Sequence, residues 1–463
     1  MLKRKAYKEL EDWKRYKTKQ ALLVKGARQV GKTTLVRQFA ANNYEVLAEV
    51  NFFDNRTALE TIERATDADD LLLRLSVLSG KELEAGKTLV FLDEIQECGG
   101  NLLTWIKMLL ERTDYDYILS GSLLGLEVSN VSSLPVGFLQ EVTLYPLDFE
   151  EFCWASGIGE TALEAVSACM ESLTPVPDYL HDKLTDTFYR YLLVGGMPDV
   201  VQAFVDSNDL LRARNLQRGI VNMYEMDMAK YVSDTLEACQ VQMVYESIPS
   251  QLNSENKRFK YARLGKSLRF ANLEFAFDWL GHVGVALPAF RVNEPTFPLA
   301  AHEDRNMLKL YSNDVGLLTA QMMGDVDINI LNRRSSINFG AIFENAAAQE
   351  FKACGRELHY YNSSKIGEVD FVLQGQQGGI DLCEIKSGKN YRRHSALDNL
   401  LTTRNYSFEH VYVFHDGNVD KSDTGKSGVS RDGKVPSSTM SATPGAFEGV
   451  TYLPIYMMGM ALS

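Results

Sequence analysis

The sequence predicts a multidomain α/β protein, and three observations carry that reading. The chain has 463 residues, and at roughly 100 to 200 residues per domain that is enough for three or four folded units. Its first 145 residues alternate short apolar runs with helical stretches, which is the pattern of a parallel sheet with crossover helices. A second group of strand-like runs begins after residue 330, behind one helical segment.

Each element follows from its local pattern. The first sheet is expected from strands at 21–24, 46–51, 88–92, 117–119 and 142–144, within a core spanning 1–145. From Pro146 to about Val232 the apolar spacing turns helical, as in Phe188, Tyr191, Leu192 and Val194, so 146–235 reads as an all-helical unit. Residues 236–325 carry short helices, a turn-rich stretch at 253–258 and an apolar end at 275–285, which fits a small helix-rich module. The span 326–463 reads as a helix at 340–354 followed by strands at 369–373, 382–385, 410–414 and 451–456, a second α/β domain. Within it, 416–449 is rich in Ser, Gly, Thr, Lys and Asp and nearly lacks large apolar residues, so a long mobile surface loop is expected there.

Composition removes several classes. Hydrophobic residues at 45% and charged residues at 24% are those of an ordinary globular chain, so disorder is not its main state. No apolar run approaches the roughly 20 residues of a bilayer span, and the charged N-terminal stretch has no secretory apolar region, so a cytoplasmic location and no membrane partner are expected. Six cysteines lie scattered without a CxxC pair, which indicates neither a zinc site nor a disulfide framework. A net charge of −13 argues against a protein coated in positive charge for nonspecific nucleic-acid binding.

The sharpest motif is Gly26-Ala27-Arg28-Gln29-Val30-Gly31-Lys32-Thr33, a full GxxxxGK[ST] directly after the strand at 21–24 and before a helix at 34–41. In that context it reads as a P-loop, which binds ATP with Mg2+. Glycines let backbone amides turn toward phosphate, the helix N-terminus opening at Thr34 adds its positive dipole end, Lys32 reaches the β- and γ-phosphates, and Thr33 ligates Mg2+. Downstream, Thr88-Leu-Val-Phe-Leu-Asp93-Glu94 gives an apolar strand ending in two carboxylates. Asp93 is placed to hold Mg2+ and Glu94 to activate the attacking water, while helix capping is the plain alternative for Asp93. The next strand runs into Ser120-Gly121-Ser122, so Ser120 or Ser122 is a γ-phosphate sensor candidate, with a simple Ser-Gly turn as the competing reading.

The loop GARQVGKTTL, the strand end LDEIQE, SGSLLG, LYPLDFEEF (144–152) and YLLVGGMPDV (191–200) together resemble a family of prokaryotic AAA-type ATPases carrying a C-terminal region of unknown function. The resemblance continues through YEMDMAKYV (224–232), KLYSNDVGLL (309–318), GAIFEN (340–345) and GEVDFVL…CEIKSGKNYRRHSAL (367–397), nearly the whole chain. It implies an AAA-like core with a helical lid, a winged-helix module and a C-terminal restriction-endonuclease-like domain. Relatives often place Arg or Lys after the glycine of the segment that follows the sensor strand, whereas this chain reads Val136-Gly137-Phe138, so an arginine finger is not expected from that position.

In the C-terminal domain, Glu384 and Lys386 are separated by two positions and so share one face of a strand, with Asp370 on the preceding strand. Two carboxylates holding a divalent cation and a lysine activating water are what nuclease chemistry needs, although a cross-strand ion pair uses the same residues. The resemblance to PD-(D/E)xK nucleases implies that Glu344, on the preceding helix, completes this metal site.

Between Asn253 and Phe270 stand Lys257, Arg258, Lys260, Arg263, Lys266 and Arg269 with Phe259 and Tyr261 interleaved, against the single acid Glu255. A basic helix of a winged-helix module would contact phosphates here; a solvated face is the other reading. The expected function is therefore Mg2+-dependent ATP hydrolysis coupled to nucleic-acid binding or processing by the C-terminal half, in a chain that self-associates into a homo-oligomer. The alternative is an ATP-dependent switch or interaction protein whose nuclease-like fold is inactive.

Overall fold

The structure is a computed structural model, and it describes all residues except 1, 17–18, 54, 99–100, 122–136, 233, 255, 324–338, 376, 389, 404–405, 422–448 and 463. The chain forms two compact units. One comprises Met1–Leu147 with Met197–Gln202 and Asp278–Val285, and the other Asp148–Gly196, Ala203–Phe277 and Ala286–Ser463. Among the described residues no helix is long and apolar enough to cross a membrane.

In the first unit, strands β1 (Ala21–Lys25), β2 (Val46–Asn51), β3 (Thr88–Asp93), β4 (Asp116–Gly121) and β5 (Leu139–Thr143) form one parallel sheet in the order β2-β3-β4-β1-β5. Every residue of β3 is buried, which is why Thr88 to Asp93 reads as a continuous apolar run rather than an alternating one. Helix α1 (Ala6–Tyr16) packs Trp13 and Tyr7 against Phe39 of α2 (Lys32–Asn43), and Tyr44 closes the same aromatic cluster. Leu71 and Leu75 from the helix Ala68–Ser79 join Ile106 and Leu109 from the helix Asn101–Arg112 in the core with Leu23, Val90, Leu92 and Leu119. Parallel strands all end at one edge, so this order delivers the residues after β1, β3 and β4 side by side.

The second unit combines helices between Phe149 and Leu252 with an eight-stranded mixed sheet. Its strands are β6 (Ala286–Val292), β7 (Glu303–Ser312), β8 (His359–Ser363), β9 (Gly367–Gln374), β10 (Ile380–Lys386), β11 (His410–His415), β12 (Asp420–Lys421) and β13 (Thr451–Pro454), in the order β12-β13-β11-β10-β9-β8-β6-β7. The buried helix Phe339–Ala353 is polar at Glu344, Asn345, Gln349 and Glu350. Three of those side chains accept backbone N–H groups: Asn345 from Ser312, Gln349 from Val315 and Glu350 from Phe149. Buried polar groups with partners of this kind fix which elements meet.

Two expectations need correction here. The helix-rich module at 236–325 contains β6 and β7, and β6 pairs with β8, so one sheet continues across the expected boundary at 325/326 and the winged-helix region is not a separate sheet. Pro288 hid β6 from a pattern reading, yet it is tolerated because pairing with β8 starts only at Phe290. The basic stretch 257–269 is not a helix either: it is irregular apart from the 3-10 turn Tyr261–Arg263. Most of the expected loop 416–449, and Ser122, lie outside the described residues.

Candidate functional site

The P-loop leaves β1 through Gly26 at φ 151°, Gln29 at φ 66° and Gly31 at φ 92°. A β-carbon at Gly26 would collide with the Leu144 carbonyl oxygen, so that position tolerates only glycine. Gly31 caps α2 without offering any side-chain acceptor, which leaves the first amides of the helix to whatever anion arrives. Lys32 is only 4% exposed, and its ammonium donates to the carbonyls of Gly26 (3.1 Å) and Ala27 (3.0 Å), curling over its own loop. Burial lowers its pKa, opposed by the nearby charges of Glu94 and Asp93. Arg28 of the loop lies over the Phe53 ring at 4.6 Å.

Asp93, at the buried end of β3, is the hub of the site. Its Oδ2 accepts from the Thr33 hydroxyl at 2.8 Å and from Asn51 Nδ2 at 2.9 Å, and its Oδ1 accepts from the Ser120 hydroxyl. Glu94 follows with φ 58°, in the left-handed region, where its amide donates to Ser120 Oγ at 3.4 Å and its carboxylate accepts from Gln96. Such a backbone conformation at a non-glycine residue costs free energy and is found where surrounding structure imposes it.

Sequence reasoning missed Asn51, although the parallel register that sets Asn51 beside Asp93 follows from two adjacent strands ending together. It also missed Arg4, whose guanidinium donates to the Val30 carbonyl at 3.0 Å and the Tyr145 carbonyl at 2.6 Å, tying the P-loop to the segment after β5. Phe138, which follows Gly137 after the sensor strand, is buried in the core.

The second unit gathers another charged cluster. On β10, Lys386 Nζ donates to Glu384 Oε1 at 2.6 Å, and Asp370 of β9 accepts the Ile385 amide at 2.9 Å. Glu344 is not a free metal ligand: its Oε1 accepts from Lys309 at 2.8 Å and from the Tyr311 hydroxyl at 2.5 Å, while its Oε2 accepts from Lys257. Burial pushes the Glu344 carboxyl up, but Lys257 and Lys309 outweigh it and hold the group at about 2. Burial, then the Asp370 charge, raises Glu384 well above the usual carboxylate range. Among the described residues, the carboxylate and histidine group whose ligand atoms lie within 4.8 Å of one another is Asp381, Glu409 and His410, and Glu344, Asp370 and Glu384 do not form such a set.

The expected basic surface is also smaller than the sequence implied. Lys257 turns inward to Glu344, and Phe259 and Tyr261 pack with Phe277 rather than standing free for bases. Arg263, Lys266 and Arg269 are exposed, and Lys260 is half-buried.

With this geometry in hand, a comparison with protein families finds that residues 18–153 match a model described as an AAA domain. That segment, and not the chain as a whole, is similar to an AAA domain. Residues 185–327 and 339–429 match two families, each described as a domain of unknown function (DUF8612 and DUF4143). Among solved structures, the chain is similar to the Walker-type ATPase PABY2304 of Pyrococcus abyssi, with 15% identity, a TM-score of 0.44, and coverage of 70% of this chain and 96% of that one. It is also similar to the RuvB Holliday junction branch migration motor of Thermotoga maritima, with 12% identity, a TM-score of 0.31, and coverage of 66% and 92%. No curated protein matches.

The AAA domain supports ATP binding, and its residues suit Mg2+ as well. Thr33 and Asp93 offer a hydroxyl and a carboxylate oxygen side by side at the mouth of the loop, a hard-oxygen pair of the kind Mg2+ takes together with substrate phosphates. The segment thus sets an oxygen pair suited to a cation, a glycine-bearing loop and a base candidate at one sheet edge.

Proposed function

We propose that the AAA domain hydrolyses ATP with Mg2+, and that the nucleotide state governs nucleic-acid binding through the exposed part of the 257–269 segment. The observation that carries this reading is the convergence of Thr33, Asn51 and Ser120 on Asp93, with Glu94 as the very next residue. Mg2+, when bound, neutralises the charge that develops on the phosphates. The chain's own residues do the rest. The Gly26 to Thr34 loop cradles the phosphates, Lys32 leaves its two carbonyls for the β- and γ-phosphates, Glu94 orients water and takes its proton, and Ser120 positions Asp93. The Gln96 amide, on the Glu94 carboxylate, holds that base in place until substrate arrives.

Because Phe138, at a position where the resemblance often implies a basic residue, fills the core instead, we assign charge compensation from a basic side chain to another copy of the chain in a homo-oligomer. We place the protein in the cytoplasm, where ATP is abundant. A second reading, an ATP-dependent switch whose C-terminal unit binds without cleaving, is favoured by one observation: lysines already neutralise the carboxylates of the nuclease-like cluster. Phosphate release from ATP tests the main reading. Turnover that requires Mg2+ and stops on chelation is expected; an ATP-binding protein without turnover, alone or with nucleic acid, leaves the switch.

A further inference from the structure

The charged cluster of the second unit has the residue types of a metal-dependent nuclease but the geometry of something else. Lys309, on β7, is fully buried, and its ammonium lies 2.8 Å from Glu344 Oε1, 2.8 Å from Glu368 Oε1 and 3.9 Å from Asp370 Oδ1. One cation already stands among three carboxylates contributed by the buried helix and by β9, two strands away from β7's partner β6. A second, Lys257, 20% exposed, closes the remaining oxygen of Glu344, and a third, Lys386, pairs with Glu384. Three ammonium groups thus face four carboxylates, and little net negative charge is left to draw a divalent ion into a buried place. Asp370 is further occupied by the Ile385 amide, and the Tyr311 hydroxyl takes part of Glu344.

We propose that Lys309 occupies the place among Glu344, Glu368 and Asp370 that a divalent cation would need, so that Glu344, Asp370 and Glu384 form a metal-independent ionic core rather than a cleavage site. The core ties together the loop after the helix Thr235–Leu252, through Lys257, and strands β7, β9 and β10 with the buried helix Phe339–Ala353. A lysine serves this purpose where a metal would not: it is part of the chain, present from the moment of folding, and independent of ion supply. The inference does not depend on ATP turnover by the AAA domain.

Mn2+ binding to the full-length chain, followed by electron paramagnetic resonance without nucleotide, tests it. Wild type and Glu384→Gln should give the same isotherm, because no ion sits on Glu384; any Mn2+ taken up at Asp381, Glu409 and His410 appears equally in both. A Mn2+ ion bound by wild type and missing from Glu384→Gln would overturn the proposal. Lys309→Ala supplies the converse arm. Emptying the ammonium's place should create Mn2+ uptake absent from wild type, and Mn2+ should raise the thermal midpoint of the variant by more than that of wild type. A folded Lys309→Ala chain that takes up no additional Mn2+ would contradict the placement of Lys309 at the cation position. Should that variant fail to fold, the comparison of wild type with Glu384→Gln decides by itself.

Discussion

The hydroxyl of Thr33 donates to the carboxylate of Asp93 at 2.8 Å, joining the P-loop to the end of a strand 60 positions away in sequence. That one bond places two oxygens of different elements where a phosphate-bound cation can meet both. Asn51 and Ser120 hold Asp93 from the strands on either side, so the carboxylate is oriented before any ligand arrives.

Lys32→Ala should weaken ATP binding by roughly 10- to 100-fold, since it removes charge-assisted hydrogen bonds worth about 1.5–3 kcal/mol. Titration with a fluorescent ATP analogue measures it. Unchanged affinity would mean that the lysine, which rests on the Gly26 and Ala27 carbonyls, never leaves them for phosphate.

Ser120→Ala should lower kcat by about tenfold while changing the ATP affinity little, because it frees Asp93 Oδ1 and the Glu94 amide without touching the P-loop. A fall in affinity with kcat intact would instead place Ser120 in ground-state binding.

Acid sensitivity follows from Glu344. Its folded-state pKa, about 2, is depressed below the ordinary 4.5, so the unfolded chain binds the extra proton between those values. The stability it contributes is present above about pH 4.5 and is lost as pH falls through about 2. Over that window, stability from urea unfolding should fall with acidity more steeply in wild type than in Glu344→Gln, by up to about 1.4 kcal/mol per pH unit. The variant should also lose about 3 kcal/mol at neutral pH, because buried Lys309 loses a main partner. Equal slopes would show that the lysines do not hold Glu344 ionised.

The sequence was most legible where the chain repeats a local rule. The strand at 46–51 matches β2, and the glycine and lysine spacing of the loop needs no tertiary information. Pairing was less legible. Ser120 could be narrowed to the end of β4, but only the register beside β3 shows that it meets Asp93. Lys309 and Lys257 were invisible as partners of Glu344, because contacts across 35 and 87 positions leave no spacing signal. The basic stretch misled for a related reason: Phe259 is buried, and charge density says nothing about which residues face inward.

If the exposed residues of that stretch contact phosphates, duplex DNA binding should fall steeply with salt, at about −0.9 in log-log slope per phosphate neutralised. Replacing Arg263, Lys266 and Arg269 by alanine should reduce the slope by up to about three units and weaken all sequences alike. Filter binding across a salt series reads both. No binding by wild type at low salt, with or without ATP, would remove nucleic acid as the partner.

Glu94→Gln isolates the proposed base, because glutamine keeps the shape and the Gln96 contact point while losing the carboxylate. Equilibrium ATP binding and steady-state phosphate release are measured on the same preparation. ATP affinity within about twofold of wild type is expected, with turnover lowered by at least about 100-fold, in the range assigned to general-base catalysis. Wild-type turnover in Glu94→Gln would contradict that expectation, for the water would then be activated by a group other than the carboxylate that follows Asp93.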